Sequence, residues 1–206
     1  MNILVLNGSP RKNGNTAAMV RAFAEGARES GHEVEAIDVG RMSIAGCLGC
    51  ECCHNRNGGT CVLDDDMNVV YRALEYAEVM ILASPMYFHN ITGPLQSAIS
   101  RMYAIGKPPK LVKCGMLLSS RIDGIYDGIS EIHRTTARIM GVENIGIVTS
   151  CGAENATPER RREIVEMGFA SGRIDEEASC RKLAEVRAFG RGIGHTSPNP
   201  DLDADM

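Results

Sequence analysis

Residues 7–16, with the sequence NGSPRKNGNT, decide the fold that we expect for this chain. They follow an apolar run at residues 1–6, MNILVL, which is typical of a buried β-strand. They precede residues 17–27, where apolar side chains recur at the spacing of a helix. The segment is therefore predicted to be a polar turn that connects a first strand to a first helix.

This turn has the chemistry of an anion-binding site. Gly8 and Gly14 permit tight backbone geometry, and Pro10 stiffens the chain. The N-terminus of the following helix offers free N–H groups and the positive end of the helix dipole. Further donors or positive charges come from Ser9, Arg11, Lys12, Asn15 and Thr16. An ordinary capped turn needs only one such side chain, so their number favours a phosphate site.

Two common phosphate-binding motifs are excluded by the residues of the turn. A Walker turn needs Gly-Lys followed by Ser or Thr, whereas Lys12 is followed by Asn13. A dinucleotide fingerprint needs three glycines in G-x-G-x-x-G spacing, which the turn lacks. Asp38 ends the second predicted strand, where a ribose-binding acid could lie, but without the glycines it is interpreted as a turn residue. A single phosphate monoester remains, and FMN is a common cofactor of that shape.

Five apolar segments predict strands that alternate with helices. The predicted strands are residues 1–6, 34–38, 79–83, 112–118 and 145–149. The predicted helices are residues 17–27, 65–76, 93–103, 126–140, 158–167 and 175–189. This alternation predicts an α/β doubly wound parallel sheet with helices on both faces. Right-handed crossovers give the strand order 2-1-3-4-5, which brings the loops after the first and third strands together.

Length and composition indicate one globular domain, which we expect at residues 1–192, followed by a polar tail at residues 193–206. The hydrophobic content is 44% and the charged content is 23%, both ordinary values. A net charge of −4 gives no general attraction to nucleic acid or anionic membranes. No apolar run approaches the ~20 residues of a membrane span. The N-terminus enters a strand directly, so we expect no signal peptide and a cytoplasmic location.

The loop after the third strand, residues 84–92, has the sequence SPMYFHNIT. A flavin ring needs an apolar shelf for its faces and polar groups along its edge. Candidates for the shelf are Met86, Tyr87 and Phe88. Candidates for polar contacts are His89, Asn90 and Thr92. The aromatic side chains could instead belong to the core, but three bulky residues after Pro85 cannot all face one core, so at least one is expected to line the cleft.

Five of the eight cysteines fall between residues 47 and 61. Without a secretory signal, such clustering favours metal or redox chemistry over structural disulfides. The spacing is C-x2-C-x2-C-x7-C and gives the candidate ligands Cys47, Cys50, Cys53 and Cys61. Two successive C-x2-C steps let one loop wrap three thiolates around a compact centre, and Cys61 can complete a [4Fe–4S] site. Zinc and a metal-free loop remain alternatives, and Cys52 is an additional thiol.

Three segments, in order and spacing, resemble the NAD(P)H-dependent FMN reductase and iron–sulfur flavoprotein group of flavodoxin-like proteins. They are LNGSPRKNGNT, then CLGCECC with Cys61 and DDDM, then SPMYF, and the resemblance covers roughly residues 1–149. It implies that the FMN phosphate is bound by Ser9, Arg11, Asn13, Asn15 and Thr16. It implies that the flavin ring is bound by Pro85, Met86, Tyr87 and Phe88. A third loop usually completes the site, and its candidates here are Ser119, Ser120 and Arg121.

The resemblance also implies a flavoenzyme activity. FMN would take hydride from NADH or NADPH and pass electrons to a quinone, free flavin, another small oxidised compound or an electron-transfer protein. The cofactor supplies this chemistry, so no protein acid, base or nucleophile is expected. A second interpretation is an electron carrier with FMN and a [4Fe–4S] cluster that does not oxidise NAD(P)H. A third is a flavin-free redox sensor that uses Cys52 and its neighbours. The resemblance further suggests a homodimer or homotetramer.

Overall fold

A computed structural model describes residues 1–151 and 176–194 of the chain, including one five-stranded sheet. The strands are β1 (Asn2–Asn7), β2 (Glu33–Ile37), β3 (Val79–Pro85), β4 (Lys113–Ser120) and β5 (Glu143–Cys151). Every neighbouring pair is parallel, and the order is β2-β1-β3-β4-β5. The predicted doubly wound sheet and its strand order are therefore confirmed.

Six α-helices surround the sheet in the described part of the chain. They are α1 (Asn15–Glu29), α2 (Cys52–Asn55), α3 (Met67–Leu74), α4 (Gly93–Arg101), α5 (Asp127–Met140) and α6 (Glu176–Arg191). Short 3₁₀ turns lie at Val39–Arg41, Met102–Ala104 and Gly192–Gly194. The short α2 was not predicted, and the helix predicted at residues 158–167 lies outside the described residues. None of the described helices is both long enough and apolar enough to cross a membrane.

The sheet is buried on both faces, which explains the continuous apolar runs of its central strands. Side chains of successive strand residues point to opposite faces. Leu4, Leu6 and Met80 pack in one hydrophobic cluster with residues from α3, α4 and α5. Ile3 and Val5 pack in another cluster with residues from α1 and α6. Helices thus cover both faces, as predicted.

Helices α1 and α6 touch through their backbones. A Cβ atom added at Gly26 would lie 1.9 Å from the carbonyl oxygen of Arg187. A Cβ atom added at Gly190 would lie 2.3 Å from the carbonyl oxygen of Phe23. These two glycines let the helices approach more closely than any side chain would allow. Ion pairs from Arg187 and Arg191 to Glu29 flank the contact.

The chain remains packed on the domain through the last described residues. Ile193 is buried, and its carbonyl oxygen accepts a hydrogen bond of 3.1 Å from the Lys113 Nζ. Lys113 also pairs with Glu143 at 3.2 Å. Residues 195–206, the rest of the predicted tail, lie outside the described part of the chain.

Candidate functional site

The carboxyl ends of β1, β3 and β4 meet at one edge of the sheet, and hydrogen bonds join the segments that follow them. The Gly8 N–H donates to the Ala83 carbonyl oxygen at 2.8 Å. The Thr92 hydroxyl donates to the Gly8 carbonyl oxygen at 2.8 Å. The Met86 N–H donates to the Ser119 carbonyl oxygen at 2.7 Å. The three predicted motifs of the flavin site are therefore neighbours in space.

The first of these loops is held in shape by its own polar side chains. The Ser9 N–H donates to the Asn7 Oδ1 at 3.1 Å, and the Arg11 N–H donates to the Ser9 Oγ at 3.2 Å. Helix α1 then starts after Gly14, which provides no side chain to cap it. The first N–H groups of a helix have no acceptor within that helix. The loop therefore presents an open, positive helix end, which suits a phosphate group.

Asn15 supplies a direct test of whether a ligand fits this loop. Its Oδ1 is buried and has no hydrogen-bond partner in the described part of the chain. An unpaired buried polar atom costs about 1–3 kcal/mol. The amide can be turned over at equal shape, so it can donate to a phosphate or accept from a hydroxyl. A phosphorylated polyol such as the tail of FMN offers both partners, so the residues fit the cofactor.

The other predicted phosphate residues divide between the surface and the interior. Arg11 and Asn13 are exposed on the outer side of the loop. Thr16 is buried at the start of α1, and its Oγ1 lies 2.8 Å from the Ser119 Oγ. Asp38 accepts a hydrogen bond of 2.8 Å from the Asn7 Nδ2 and pairs with Arg41. This agrees with the interpretation of Asp38 as a structural turn residue.

The second loop contains a strained turn with exposed rings. Tyr87 and Asn90 exchange backbone hydrogen bonds of 2.8 and 3.2 Å across Phe88 and His89. Phe88 and His89 have φ angles of 49° and 62°, in the left-handed region that costs non-glycine residues about 1–2 kcal/mol. Phe88 is 97% exposed, and Met86 is buried in the core. Strain of this kind is characteristic of functional sites.

The third predicted loop, after β4, begins later in the chain than predicted, because β4 extends to Ser120. Ser119 and Ser120 are the last residues of β4, not part of a loop, and both are buried. The Ser120 Oγ lies 2.6 Å from the Tyr126 hydroxyl, which donates to the Ser150 carbonyl oxygen at 3.0 Å. Both serine hydroxyls thus bond within the protein, and Arg121 is exposed. The tyrosine contact was not anticipated from the sequence.

A small, mostly apolar cavity lies between residues 47–63 and the end of α4 with the 3₁₀ turn that follows it. None of the three loops described above lines it. Its lining includes all four of the predicted metal ligands, Cys47, Cys50, Cys53 and Cys61. Cys52 does not line it. No group of three or more His, Cys, Asp or Glu side chains among the described residues is close enough to hold a metal ion. The four thiols therefore line one cavity but are not arranged as the ligands of a single metal ion. Four cysteine thiolates are the usual ligands of an iron–sulfur cluster, so the chemistry of this set fits such a cluster.

Neighbouring groups distinguish the exposed thiols. The backbone N–H of Cys52 lowers the pKa of the Cys50 thiol, whereas the hydrogen bond to Cys50 raises the pKa of Cys52. The Cys47 Sγ accepts a hydrogen bond from the Gly49 N–H at 3.4 Å. Thiolates are the metal-binding form of cysteine. Cys50 is thus better prepared for ligation than Cys52.

Two residues that line the cavity, Glu51 and Tyr103, are bonded to each other. The Tyr103 hydroxyl donates to both carboxylate oxygens of Glu51, at 3.0 and 3.1 Å. This bond raises the pKa of Tyr103. The His54 ring stands edge-on to Tyr103, with 4.7 Å between ring centroids. These contacts connect α2 and the residue before it to the 3₁₀ turn that follows α4.

Arg101, which was not anticipated from the sequence, holds both ends of the cysteine segment. Its Nη1 donates to the Ala45 carbonyl oxygen at 3.1 Å, and its Nη2 donates to the Leu63 carbonyl oxygen at 3.1 Å. It also pairs with Asp65 at 2.8 Å, and its side chain is fully buried. Burial opposes the charge, but the bonds to Asp65 and Tyr71 and the nearby Cys61 raise the pKa of Arg101. Arg101 follows Leu95 and Ala98 at the three-residue spacing of a buried helix face. A charged residue at such a position was the feature of the sequence that could have indicated a buried, bonded arginine.

Comparison with known proteins assigns residues 1–124 to a protein family. The family model described as NADPH-dependent FMN reductase matches residues 1–124. An iron-sulfur flavoprotein of Archaeoglobus fulgidus is 39% identical over 104 residues, which is 50% of this chain and 46% of that protein. The match thus spans about half the length of each. An iron-sulfur flavoprotein of Methanocaldococcus jannaschii is 32% identical over 151 residues, 73% of this chain and 74% of that protein.

Among solved structures, the NAD(P)H:quinone oxidoreductase from Methanothermobacter marburgensis is similar over nearly the whole chain. The TM-score is 0.65, with coverage of 96% of this chain and 98% of the other. The sequence identity is 18%, so this similarity shows the shared fold alone. That fold is the flavodoxin-like one.

Proposed function

This chain belongs to the NADPH-dependent FMN reductase family, and from that premise we propose that it is an FMN-dependent oxidoreductase whose cysteine segment holds a [4Fe–4S] cluster. The observation that carries the proposal is that all four predicted ligands line one cavity, whereas Cys52 does not. The relatives named as iron-sulfur flavoproteins support the same assignment. Bound FMN would supply the ability to accept and release electrons.

We assign the FMN phosphate to the open N-terminus of α1. Asn15 would provide the amide contact and Arg11 the neighbouring positive charge, while Ser9 shapes the loop through its bonds to Arg11. Asn13 lies on the exposed side of the same loop. Thr16 would act by fixing the start of the helix against Ser119.

The residues after β3 and β4 would border the flavin ring. The proposed ring contacts are Pro85, Met86, Tyr87, Phe88 and Asn90, with Ser119, Ser120 and Arg121 from the end of β4. The strained turn holds the Tyr87 and Phe88 rings at the surface, where they can cover an apolar ring face. Asn90 closes this turn through its two backbone hydrogen bonds with Tyr87, and its Oδ1 accepts the N–H of Ile91 at 2.9 Å.

NADH or NADPH is the proposed electron donor, and a quinone, free flavin, other small oxidised compound or carrier protein is the proposed acceptor. The description of the family supports a nicotinamide donor. Adding NADH or NADPH anaerobically to FMN-loaded protein is then expected to bleach the visible flavin band. Protein that cannot be loaded with FMN would overturn the proposed function.

A second candidate function is an electron carrier that holds FMN and the cluster but does not oxidise NAD(P)H. The iron-sulfur flavoprotein relatives favour it over a simple reductase. In this case NAD(P)H leaves the flavin band unchanged, whereas a reduced ferredoxin bleaches it. The two candidates are therefore separated by one anaerobic titration.

Metal analysis with matched cysteine variants tests the cluster. Anaerobically purified protein is expected to contain about four iron and four acid-labile sulfide per chain. Cys53→Ser removes a thiol that lines the cavity and should lose most of the iron, whereas Cys52→Ser should retain it. Equal iron loss in both variants, or zinc in place of iron, would contradict the assignment.

We also propose that the chain forms a homodimer or homotetramer in the cytoplasm. Large apolar side chains stand exposed in the monomer, including Leu48, Phe88, Ile132 and Ile139. Exposed apolar patches often mark interfaces. Light scattering coupled to size-exclusion chromatography should give two or four times the chain mass, and a monomer at micromolar concentration would reject this assembly.

A further inference from the structure

Among the described residues that line the four-cysteine cavity, Arg101 is the one cation. Two of its nitrogens are used by Asp65, Ala45 and Leu63. The third, Nε, is buried and has no partner in the part of the chain that the structure describes. The side chain thus brings an unused, charged donor to the wall of the thiol cavity.

An unpaired donor on a buried charged group is costly. Hydrogen bonds to charged groups are worth about 1.5–3 kcal/mol, and a buried group without its partner loses that energy. Lysine cannot replace this arrangement, because only a guanidinium offers donors in a fixed planar fork. Because Arg101 lines the thiol cavity, a group held in that cavity is the candidate acceptor for the Nε–H.

We propose that Arg101 is a positioning residue for the cluster: it clamps Ala45 and Leu63 at the two ends of the cysteine segment, and its Nε–H donates to a sulfur atom in the cavity. This inference rests on the proposed cluster. Hydrogen bonds to cluster sulfurs and the net charge around them set the reduction potential. A directed donor stabilises the more negative, reduced state, so Arg101 makes the cluster easier to reduce.

Asp65 determines how much of the charge of Arg101 reaches the cavity. Its carboxylate lies 2.8 Å from the Nη1 and offsets much of the positive charge. The Nε–H dipole is then the main influence on the sulfur atoms. Removing the Asp65 charge should leave Arg101 more positive toward the cavity and shift the potential in the opposite direction to removing Arg101.

The test measures the cluster midpoint potential of FMN-loaded protein by anaerobic titration with electron paramagnetic resonance. Arg101→Lys keeps a cation but loses the fork, and is expected to lower the reduced-to-oxidised ratio at fixed potential about tenfold, equivalent to ~59 mV for one electron. Asp65→Asn is expected to raise that ratio. Arg72→Gln, which removes an exposed charge from α3, should leave the potential unchanged.

The outcomes separate this inference from the proposed function. Wild-type protein without iron rejects the cluster itself. Wild-type protein with a cluster whose potential is the same in Arg101→Lys, at full iron content, overturns the role of Arg101 alone. If Arg101→Lys does not fold, pulsed electron paramagnetic resonance of the reduced wild-type cluster with 15N-labelled arginine decides: a 15N coupling supports the role, and its absence refutes it.

Discussion

The Thr16 Oγ1 and the Ser119 Oγ lie 2.8 Å apart in the protein interior, although 103 residues separate them in the sequence. One hydroxyl belongs to the first turn of α1 and the other to the end of β4. This bond ties the end of the helix that we propose to bind phosphate to the strand end that borders the proposed flavin ring. The two halves of the proposed flavin site are therefore fixed relative to each other.

Removing this bond should weaken both the fold and the site. Thr16→Val keeps the shape of the side chain but leaves the Ser119 hydroxyl buried without a partner, so we expect a loss of about 1–3 kcal/mol in unfolding free energy. Urea denaturation of the FMN-free protein measures it. Adding Ser119→Ala should restore part of the loss, because the unpaired hydroxyl is then gone. Strictly additive losses would show that the two hydroxyls are not coupled.

Asn15→Ala should separate stability from cofactor affinity. It removes the unpaired buried Oδ1 and puts a strong helix former in the first turn of α1. We expect the FMN-free protein to gain up to about 1 kcal/mol, while FMN affinity falls at least about tenfold for one lost charge-assisted bond. Flavin fluorescence quenching gives the affinity. Asn68→Ala on α3 is the control, and equal affinity in the two variants would argue against the phosphate contact.

Buried His133 should make stability depend on pH. Burial lowers its pKa to about 4, from an ordinary value of 6.5. Its ring faces the Cys114 thiol at 3.7 Å, and burial raises the pKa of that thiol to about 12. The folded protein keeps His133 neutral where the unfolded chain binds a proton, so stability falls as the pH drops from 6.5 towards 4 and levels off below.

The size of this effect follows from the two pKa values. Each unit of difference is worth about 1.4 kcal/mol, so the full loss is roughly 3 kcal/mol. Urea midpoints at several pH values measure it, and His133→Gln supplies the reference because Gln does not titrate. We expect the wild type to lose more stability than the variant between pH 6.5 and 4.5. Parallel curves would mean that His133 takes up its proton in the folded state.

The contact between α1 and α6 should not tolerate a methyl group. Gly190→Ala would place a Cβ atom 2.3 Å from a backbone oxygen of α1, so the helices must separate. We expect a loss of at least about 2 kcal/mol in unfolding free energy. Gly128→Ala in α5 has open space around it and should instead gain up to about 1 kcal/mol. Thermal unfolding of both variants measures the two changes in stability. An unchanged stability of Gly190→Ala would disprove the close approach of the helices.

The sequence predicts the sheet better than it predicts the site. Apolar runs reveal β1 and β3 because both faces of these strands are buried. The end of β4 was missed because Ser119 and Ser120 are polar, and the Ser119 hydroxyl bonds to Thr16 in a distant segment. Phe88 faces solvent because the pairing of Tyr87 with Asn90 sets its backbone, which no residue preference indicates. Arg101 bonds to carbonyl groups more than thirty positions away. Such contacts are created by tertiary packing, so the local sequence pattern does not reveal them.

The clamp formed by Arg101 has an evolutionary consequence. Arg101 joins Ala45 and Leu63, which border residues 46–62 at the two ends, and none of these three residues belongs to β1, β3 or β4. Changes within residues 46–62 are therefore expected to disturb the proposed cluster more than the proposed flavin site, which lies at the ends of β1, β3 and β4. We expect that descendants of this chain can lose the inorganic centre and still retain the organic one.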